Sequence, residues 1–121
     1  MSGVELESKT QFDVMTYLKK NKVYVYKNAQ NLYTERGRPD LTACIPVKVS
    51  NLLKIYKPDD TIGLFVGIEM KRPGKLKNVS LAQEIVGRQI QKAGGIWLPD
   101  DNVSSIIEFL TRLQGGDDVI Q

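Results

Sequence analysis

No histidine occurs among the 121 residues of this chain. Without histidine the protein cannot build a Ser-His-Asp or Cys-His relay, a zinc site with imidazole ligands, or a histidine general base. Any hydrolytic chemistry must therefore rely on carboxylates, lysine and a hard metal ion.

Cysteine is nearly absent as well, because Cys44 is the only one. A single cysteine excludes an internal disulfide and is typical of a reducing compartment. Cys44 lies within a short apolar run, which favours a packing role over a nucleophilic one. The amino terminus has neither a basic region nor an apolar core, and no apolar run is long enough to span a membrane. We therefore expect a cytoplasmic protein without membrane contact.

The length of the chain is that of one ordinary domain. We expect residues 1–114 to form this domain and residues 115–121 to be a flexible tail. The apolar fraction of 41% and the charged fraction of 26% are those of a globular protein. The net charge of +3 only mildly favours a polyanionic partner.

Hydrophobic periodicity predicts an α/β fold. Phe12, Met15 and Leu18 recur at helical spacing, and Ser80-x-x-Gln83 is typical of a capping box. The predicted helices cover residues 5–20, 80–93 and a stretch from about 103, after a cap at Asp101 or Asn102. The predicted strands cover 23–27, 41–45, 61–70 and 96–98. Residues 47–56 fit either a short helix or a strand. This order implies a mixed sheet flanked by helices.

The predicted strand over residues 61–70 carries the most informative side chains. Successive residues of a strand point to opposite faces, so Glu69 and Lys71 project together, and Gly67 leaves room beside them. The structural alternative is an ordinary exposed face of the sheet.

A second carboxylate comes from one of three Pro-Asp pairs. Asp59 is ten residues before Glu69, which in an extended strand is about 33 Å, too far to share an ion. Asp100 is better explained as part of a helix cap. Asp40 stands at the head of a different strand, where a hairpin-like return can bring it beside Glu69. Alone, Asp40 could equally be a turn residue.

Two carboxylates and a lysine suit metal-assisted phosphodiester hydrolysis. Mg²⁺ prefers oxygen ligands and keeps several waters around one or two carboxylates. Asp40 and Glu69 supply the carboxylates, the backbone carbonyl of Met70 can add a ligand, and Lys71 can orient water or neutralise developing charge. Cations gather in sequence around both acidic motifs: Lys19, Lys20, Lys22, Lys27, Arg36 and Arg38 near the first, and Lys71, Arg72, Lys75 and Lys77 after the second.

These motifs resemble the PD-(D/E)xK nuclease superfamily and, within it, the small VRR-NUC domains common in phages and in larger repair nucleases. The resemblance runs from about Glu7 to Gly95. It rests on an ordered set of motifs: the helix bearing Glu7, Arg36-Gly37-Arg38-Pro39-Asp40-Leu41, Gly67-Ile68-Glu69-Met70-Lys71-Arg72-Pro73-Gly74, Ser80-x-x-Gln83 and Gly94-Gly95.

The resemblance implies a restriction-endonuclease-like core with a Mg²⁺ or Mn²⁺ site. Glu7, Asp40 and Glu69 would hold the ion, Lys71 would be catalytic, and Gln83 would reach the site from its helix. The helical phase of Glu7, three turns before Leu18, agrees with an inward position. Gln83 may equally act only in its capping box, and Glu7 only as a surface carboxylate. The candidate phosphate contacts are Lys27, Arg38, Arg72, Lys75 and Lys77.

Small stand-alone members of this family look like homodimers that act on branched DNA. The resemblance therefore implies a structure-selective endonuclease, similar to a Holliday-junction resolvase, in a bacterial or phage-infected cell. The 28 residues between Asp40 and Glu69 are more than a compact version needs, so we expect residues 47–60 to be an insertion that shapes substrate access or a dimer contact. The alternatives are a non-catalytic nucleic-acid-binding protein on the same fold and a scaffold that binds a structural ion.

Overall fold

The computed structural model describes residues 3–29, 31 and 36–116. This part of the chain contains four helices and four strands, with a single 3₁₀ turn at Leu76–Asn78. In chain order they are α1 (Gly3–Lys20), β1 (Tyr24–Lys27), β2 (Leu41–Cys44), α2 (Val49–Leu52), β3 (Val66–Met70), α3 (Leu81–Lys92), β4 (Ile96–Asp100) and α4 (Val103–Leu113).

The strands form two small sheets flanked by helices, which confirms the predicted α/β class. β1 and β2 pair antiparallel, with Tyr24 opposite Cys44. β3 and β4 pair parallel, with Val66 opposite Ile96. The prediction of one mixed sheet is therefore wrong in the described residues, since no ladder joins β2 to β3 there.

β3 is shorter than the predicted strand, which was expected to begin at residue 61. In the described residues its ladder is with β4 alone, and β4 begins at Ile96, after α3 has ended. The first ladder bond runs from the amide of Ile96 to the carbonyl of Phe65, so the residues before Phe65 have no strand beside them. The alternating pattern of residues 61–65 is present, but the partner strand is not.

β4 extends two residues beyond the predicted 96–98 and includes Pro99. The amide of Ile96 bonds to β3, and consecutive residues of a strand direct their backbone groups to alternate sides. The nitrogen of Pro99 therefore faces away from β3, where proline removes no ladder hydrogen bond. This position explains how the strand passes through a proline.

Helix α3 begins at the predicted capping box. The hydroxyl of Ser80 accepts from the amide of Gln83, and the side chain of Gln83 accepts from the amide of Ser80. The helix ends in a Schellman motif, where Gly94 has a φ of 87° and the amide of Gly95 donates to the carbonyl of Ile90. Both ends of α3 are thus set by short-range signals in the sequence.

The last helix also ends in a Schellman motif. Asn102 caps its start by accepting from the amide of Ser105, as one of the two predicted caps. Gly115 has a φ of 81°, and the amide of Gly116 donates to the carbonyl of Thr111. Gly115 and Gly116 therefore belong to the helix end and not to the predicted tail. Residues 117–121 lie outside the described residues.

Helix α1 packs on β1, but only part of its apolar stripe is covered. Met15 and Leu18 are half-buried, whereas Phe12 is 70% exposed. An 18-residue helix is about 27 Å long, about twice the length of a four-residue strand. Phe12 therefore shares the helical spacing of Met15 and Leu18 but stays exposed, because β1 is too short to cover it.

The core is small, and its residues come from several elements. Its buried apolar residues are Val23, Val25, Cys44, Ile90, Ala93 and Ile106. Residues 47–56, whose pattern fitted either a short helix or a strand, contain the single-turn α2, followed by a turn. Among the described helices, none has the length and apolarity that a membrane span requires.

The end of α1 carries a strained residue that offers a stability test. Lys22 has a φ of 62°, and the amide of Val23 donates to the carbonyl of Leu18. This is the same Schellman geometry as at Gly94, but with a lysine at the left-handed position. We expect Lys22→Gly to raise the free energy of unfolding by about 0.5–1 kcal/mol, because glycine avoids the Cβ strain.

Urea denaturation of Lys22→Gly measures this effect. Lys20→Gly is the matched control. It removes the same charge at a position two residues earlier, within the last turn of α1. We expect the control to lower the free energy of unfolding by about 1 kcal/mol. Equal destabilisation by both substitutions would contradict the prediction.

Candidate functional site

Glu69 and Lys71 lie together at the carboxyl end of β3. The ammonium Nζ of Lys71 is 3.3 Å from Oε1 of Glu69. The Lys71 side chain is 20% exposed and the Glu69 side chain is 26% exposed, so the ion pair is largely shielded from water. The alternation of the strand thus places both on one face, as the sequence predicts. Partial burial makes their attraction stronger than that of a surface pair.

The pairing of β3 also sets the direction of the Met70 carbonyl. Two odd-numbered residues, Phe65 and Lys71, bond to β4. The Phe65 carbonyl accepts from the amide of Ile96, and the amide of Lys71 donates to the carbonyl of Asp100. Backbone groups alternate between the two sides of a strand, so the Met70 carbonyl faces away from β4. In the described residues no strand pairs with that side of β3. The carbonyl is thus directed to an open edge beside Glu69.

Asp40 is at the end of the loop that joins β1 to β2. Its side chain is exposed, and its backbone carbonyl accepts from the amide of Asn28 at 2.9 Å. β2 continues from Asp40 and pairs with β1, so the hairpin-like return expected to bring Asp40 beside Glu69 is not formed by a strand ladder in the described residues.

Glu7 is exposed on α1, so the prediction of an inward position is wrong. The strand that covers α1 is short and follows directly from the carboxyl end of the helix. The amino-terminal turns, which carry Glu7, therefore reach beyond it. Within the described residues no three acidic or cysteine side chains form a cluster of the kind that holds a metal ion, so the structure does not bring Glu7, Asp40 and Glu69 together.

Gln83 is engaged in the helix cap. Its side-chain oxygen accepts from the amide of Ser80 at 2.9 Å, while its own amide donates to the Ser80 hydroxyl at 3.1 Å. The structure thus realises the capping-box interpretation, and the oxygen of Gln83 is not available as a ligand in this arrangement.

The predicted phosphate contacts occupy two places. Lys27 ends β1, and Arg38 lies in the following loop, where its Nη2 donates to the side chain of Asn28 at 3.2 Å. The others lie in the exposed segment after β3: Arg72, Lys75 and Lys77.

The segment that carries these last cations is tied to the start of α4. The amide of Gly74 donates to a carboxylate oxygen of Asp101 at 2.9 Å, and Gly74 has a φ of 80°. The amide of Lys75 donates to the carbonyl of Arg72 at 2.9 Å. These bonds form a turn that keeps the cations close to the end of β3, and hence close to Lys71.

Asn28 is a residue that sequence reasoning missed. It lies outside every predicted helix and strand, yet it is only 3% exposed. Its side chain bonds to Arg38, Pro39 and Thr42. An asparagine that directly follows a β-rich run is a weak signal, because turns commonly contain asparagine there. Only the folded hairpin shows that it is buried.

Cys44 has the packing role that its apolar surroundings predict. It is 5% exposed, and its thiol donates to the carbonyl of Ala93 at 3.6 Å. Burial raises the pKa of the Cys44 thiol above its usual value, so the thiol stays protonated at neutral pH. Burial, together with the neighbouring Tyr26, likewise raises the pKa of Tyr24.

Comparison of the chain with models of known protein families, with curated proteins and with solved structures found no match.

Proposed function

We propose that this protein is a metal-dependent DNA endonuclease. The observation that carries the proposal is the Glu69–Lys71 ion pair at the end of β3, where a carboxylate and an ammonium group are 3.3 Å apart and mostly shielded from water. A carboxylate can hold a hard cation, and an ammonium group can neutralise charge on a phosphate. Their combination at the end of a strand suits phosphodiester hydrolysis.

The residues present fit a Mg²⁺ or Mn²⁺ ion in their donor chemistry. Glu69 offers a carboxylate, and the Met70 carbonyl is directed to the open edge of β3. Mg²⁺ needs only one or two carboxylates, since water completes its shell. Asp40 is the proposed second carboxylate, and its exposure leaves it accessible to an ion. When bound, such an ion lowers the pKa of a water and polarises the phosphoryl oxygen.

Lys71 has two roles in this proposal. Its ammonium group offsets the repulsion between the Glu69 carboxylate and an approaching phosphate, because the positive charge is 3.3 Å from the negative one. It can also donate a hydrogen bond to the phosphate oxygen on which charge develops. The shielding of the pair from water strengthens both effects.

The proposed substrate is DNA, and branched DNA in particular. The exposed cations Lys75, Lys77 and Arg72 lie in the segment that directly follows Lys71, so they can contact phosphates on either side of the cleaved bond. Phosphate contacts position a backbone without reading bases, which favours recognition by shape. The resemblance to small junction-cutting nucleases points the same way.

We also propose a homodimer formed through the segment between β2 and β3. Residues 45–64 contain eight exposed large apolar side chains: Ile45, Val47, Val49, Leu53, Ile55, Tyr56, Ile62 and Leu64. All of them except Ile55 line a cavity of about 800 Å³ at the end of β2. Exposed apolar surface on this scale is typical of a protein interface. A symmetric dimer would present two sites to the two strands of a junction.

Cleavage of matched DNA substrates tests the proposed activity. Linear duplex, flap and four-way-junction DNA of shared sequence are incubated with the protein in Mg²⁺, Mn²⁺ or EDTA, beside Lys71→Ala purified in parallel. We expect metal-dependent cleavage that is fastest on the junction and absent from the variant. Symmetrically paired nicks, together with a dimer mass by light scattering, are expected from two sites.

Two outcomes would overturn the proposal. Binding of every substrate without cleavage in either metal would indicate the non-catalytic nucleic-acid-binding protein. Equal cleavage by the wild type and by Lys71→Ala would show that the activity comes from elsewhere. Cleavage by a protein of monomer mass would remove the proposed dimer alone.

A further inference from the structure

Asn28 is the one buried polar residue in the described part of the chain, at 3% exposed. Its side-chain nitrogen donates to the Pro39 carbonyl at 2.9 Å and to the Thr42 hydroxyl at 2.8 Å, and its side-chain oxygen accepts from Arg38 at 3.2 Å. Its backbone amide donates to the carbonyl of Asp40 at 2.9 Å.

These bonds use the whole hydrogen-bonding capacity of the amide donors of Asn28. A buried polar side chain is costly unless it is satisfied, and a fully satisfied one fixes the groups around it. Its partners stand on both sides of Asp40 in the chain: Arg38 and Pro39 before it, and Thr42 after it. The Asn28 side chain thus holds the Pro39 backbone and the Arg38 side chain before Asp40, and the Thr42 side chain after it.

We infer that Asn28 is a positioning residue, which fixes the segment from Arg38 to Thr42 so that Asp40 meets a divalent cation and Arg38 meets phosphate. This inference rests on the proposed function, since it assigns a role toward the ion of that site. Asn28 itself touches neither substrate nor ion. It acts through the backbone of Asp40 and the guanidinium group of Arg38.

Asparagine is required at this position because both of its donors are used. Aspartate has the same shape but no N–H group, so Asn28→Asp would place a carboxylate oxygen against the Pro39 carbonyl, where two acceptors repel. The same substitution keeps the acceptor for Arg38. It therefore removes the hold on the loop backbone while the volume of the buried side chain is preserved.

Thr42 gives a second, milder perturbation of the same network. Thr42→Val removes the hydroxyl that accepts from Asn28, whereas Thr42→Ser keeps it. Gly94→Ala is the control for stability alone. It forces an alanine into a φ of 87° at the end of α3, where no residue proposed to hold the ion lies within 4 Å of the added Cβ.

The experiment makes two measurements on each variant. One is the dependence of the cleavage rate on Mg²⁺ concentration, and the other is the rate of backbone amide hydrogen exchange. We expect Asn28→Asp to raise the half-saturating Mg²⁺ concentration about tenfold, as loss of a residue that orients a ligand commonly does. We expect Thr42→Val to raise this Mg²⁺ concentration less, and Thr42→Ser to have the wild-type value. Gly94→Ala should lower stability but leave the half-saturating Mg²⁺ concentration unchanged. Exchange of the amides between residues 36 and 42 should accelerate in Asn28→Asp.

A second readout does not depend on cleavage. Mn²⁺ is titrated into the free protein, and paramagnetic broadening of the Asp40 amide resonance is followed by NMR. We expect broadening in the wild type and a weaker effect in Asn28→Asp. If the wild type shows the broadening but cuts no DNA, the proposed function fails and the positioning role stands.

Three results would overturn the inference. The first is equal Mn²⁺ broadening in the wild type and Asn28→Asp. The second is no broadening at Asp40 in the wild type, which would place no ion there. The third is a shift of the half-saturating Mg²⁺ concentration in Gly94→Ala that is as large as the shift in Asn28→Asp and Thr42→Val. If Asn28→Asp does not fold, the comparison of Thr42→Val with Thr42→Ser decides between these outcomes.

Discussion

Lys71→Met is expected to lower the rate of DNA cleavage roughly 100- to 1,000-fold, the usual effect of removing one group that stabilises transition-state charge. Methionine retains most of the apolar stem of lysine but lacks the ammonium group that is 3.3 Å from Glu69. DNA affinity should fall much less, because the exposed cations after β3 remain. Single-turnover cleavage and equilibrium binding, measured with the same junction, separate the two quantities.

Glu69→Gln should cause a loss of similar size by a different route, since the neutral amide binds a divalent cation poorly. If Glu69 and Lys71 act as one unit, the double variant should cleave about as slowly as either single variant. Multiplied losses in the double variant would instead show independent roles. Unfolding curves of all three proteins are needed because each substitution disrupts a partly buried ion pair.

Lys92→Met is the matched control for this series. Lys92 is an exposed lysine in the last turn of α3. The helix leaves the carboxyl end of β3 and returns to the amino end of the parallel strand β4, so Lys92 lies at the opposite end of the sheet from Lys71. The Lys92→Met substitution removes the same charge as Lys71→Met without altering the Glu69–Lys71 ion pair. Loss of activity in Lys92→Met comparable to that in Lys71→Met would refute a specific role for Lys71.

Gly87→Ala is expected to destabilise the protein although alanine favours helices. A Cβ at Gly87 would lie 2.1 Å from Cδ2 of Trp97 and 2.4 Å from two further atoms of the indole ring. These atoms lie in the middle of a rigid ring, so α3 must move away from β4 or Trp97 must leave its position. Overpacking costs up to about 3 kcal/mol and alanine regains about 1 kcal/mol of helix propensity, which leaves a net loss of about 2 kcal/mol.

Thermal and urea unfolding measure this loss, for which we expect the Tm to fall by roughly 8 °C. Gly63→Ala is the control, because nothing lies within 4 Å of a Cβ at that position and its φ is not in the left-handed region. Its stability should change by less than about 0.5 kcal/mol. Equal effects of the two substitutions would contradict the close approach of α3 to Trp97.

A double-mutant cycle identifies the indole ring as the cause. Trp97→Leu removes the ring and on its own leaves a cavity, so it should destabilise the protein. In the Gly87→Ala background the same substitution also relieves the overlap. The double variant should therefore be more stable than the sum of the single effects predicts, by about 1–2 kcal/mol. Simple additivity would mean that the added methyl group meets something other than Trp97.

The elements defined by short-range signals could be predicted from the sequence. The Ser80–Gln83 capping box starts α3, and the glycine pair at Gly94 ends it, because both need only neighbouring backbone groups. The common direction of Glu69 and Lys71 follows from the period of two in a strand. Each of these features is complete within a few residues, so distant parts of the chain could not change it.

Features that depend on a distant partner could not be predicted in this way. The helical phase of Glu7 gives its direction on α1, but burial required a neighbouring element, and β1 is too short to cover it. The strand predicted from residue 61 begins at Val66, because β4 supplies the one ladder that it forms in the described part of the chain. Asn28 lies outside every predicted helix and strand, and the side-chain partners that it bonds to are ten or more residues away.

The sequence by itself determined the α/β order of elements, the helix ends and the shared face of Glu69 and Lys71. The tertiary structure alone decided which strands pair, which side chains are covered and that Asn28 supports the loop bearing Asp40. The physical reason is the range of the forces concerned. Capping and alternation follow from the geometry of adjacent peptide units, whereas burial and strand pairing depend on which distant segments meet.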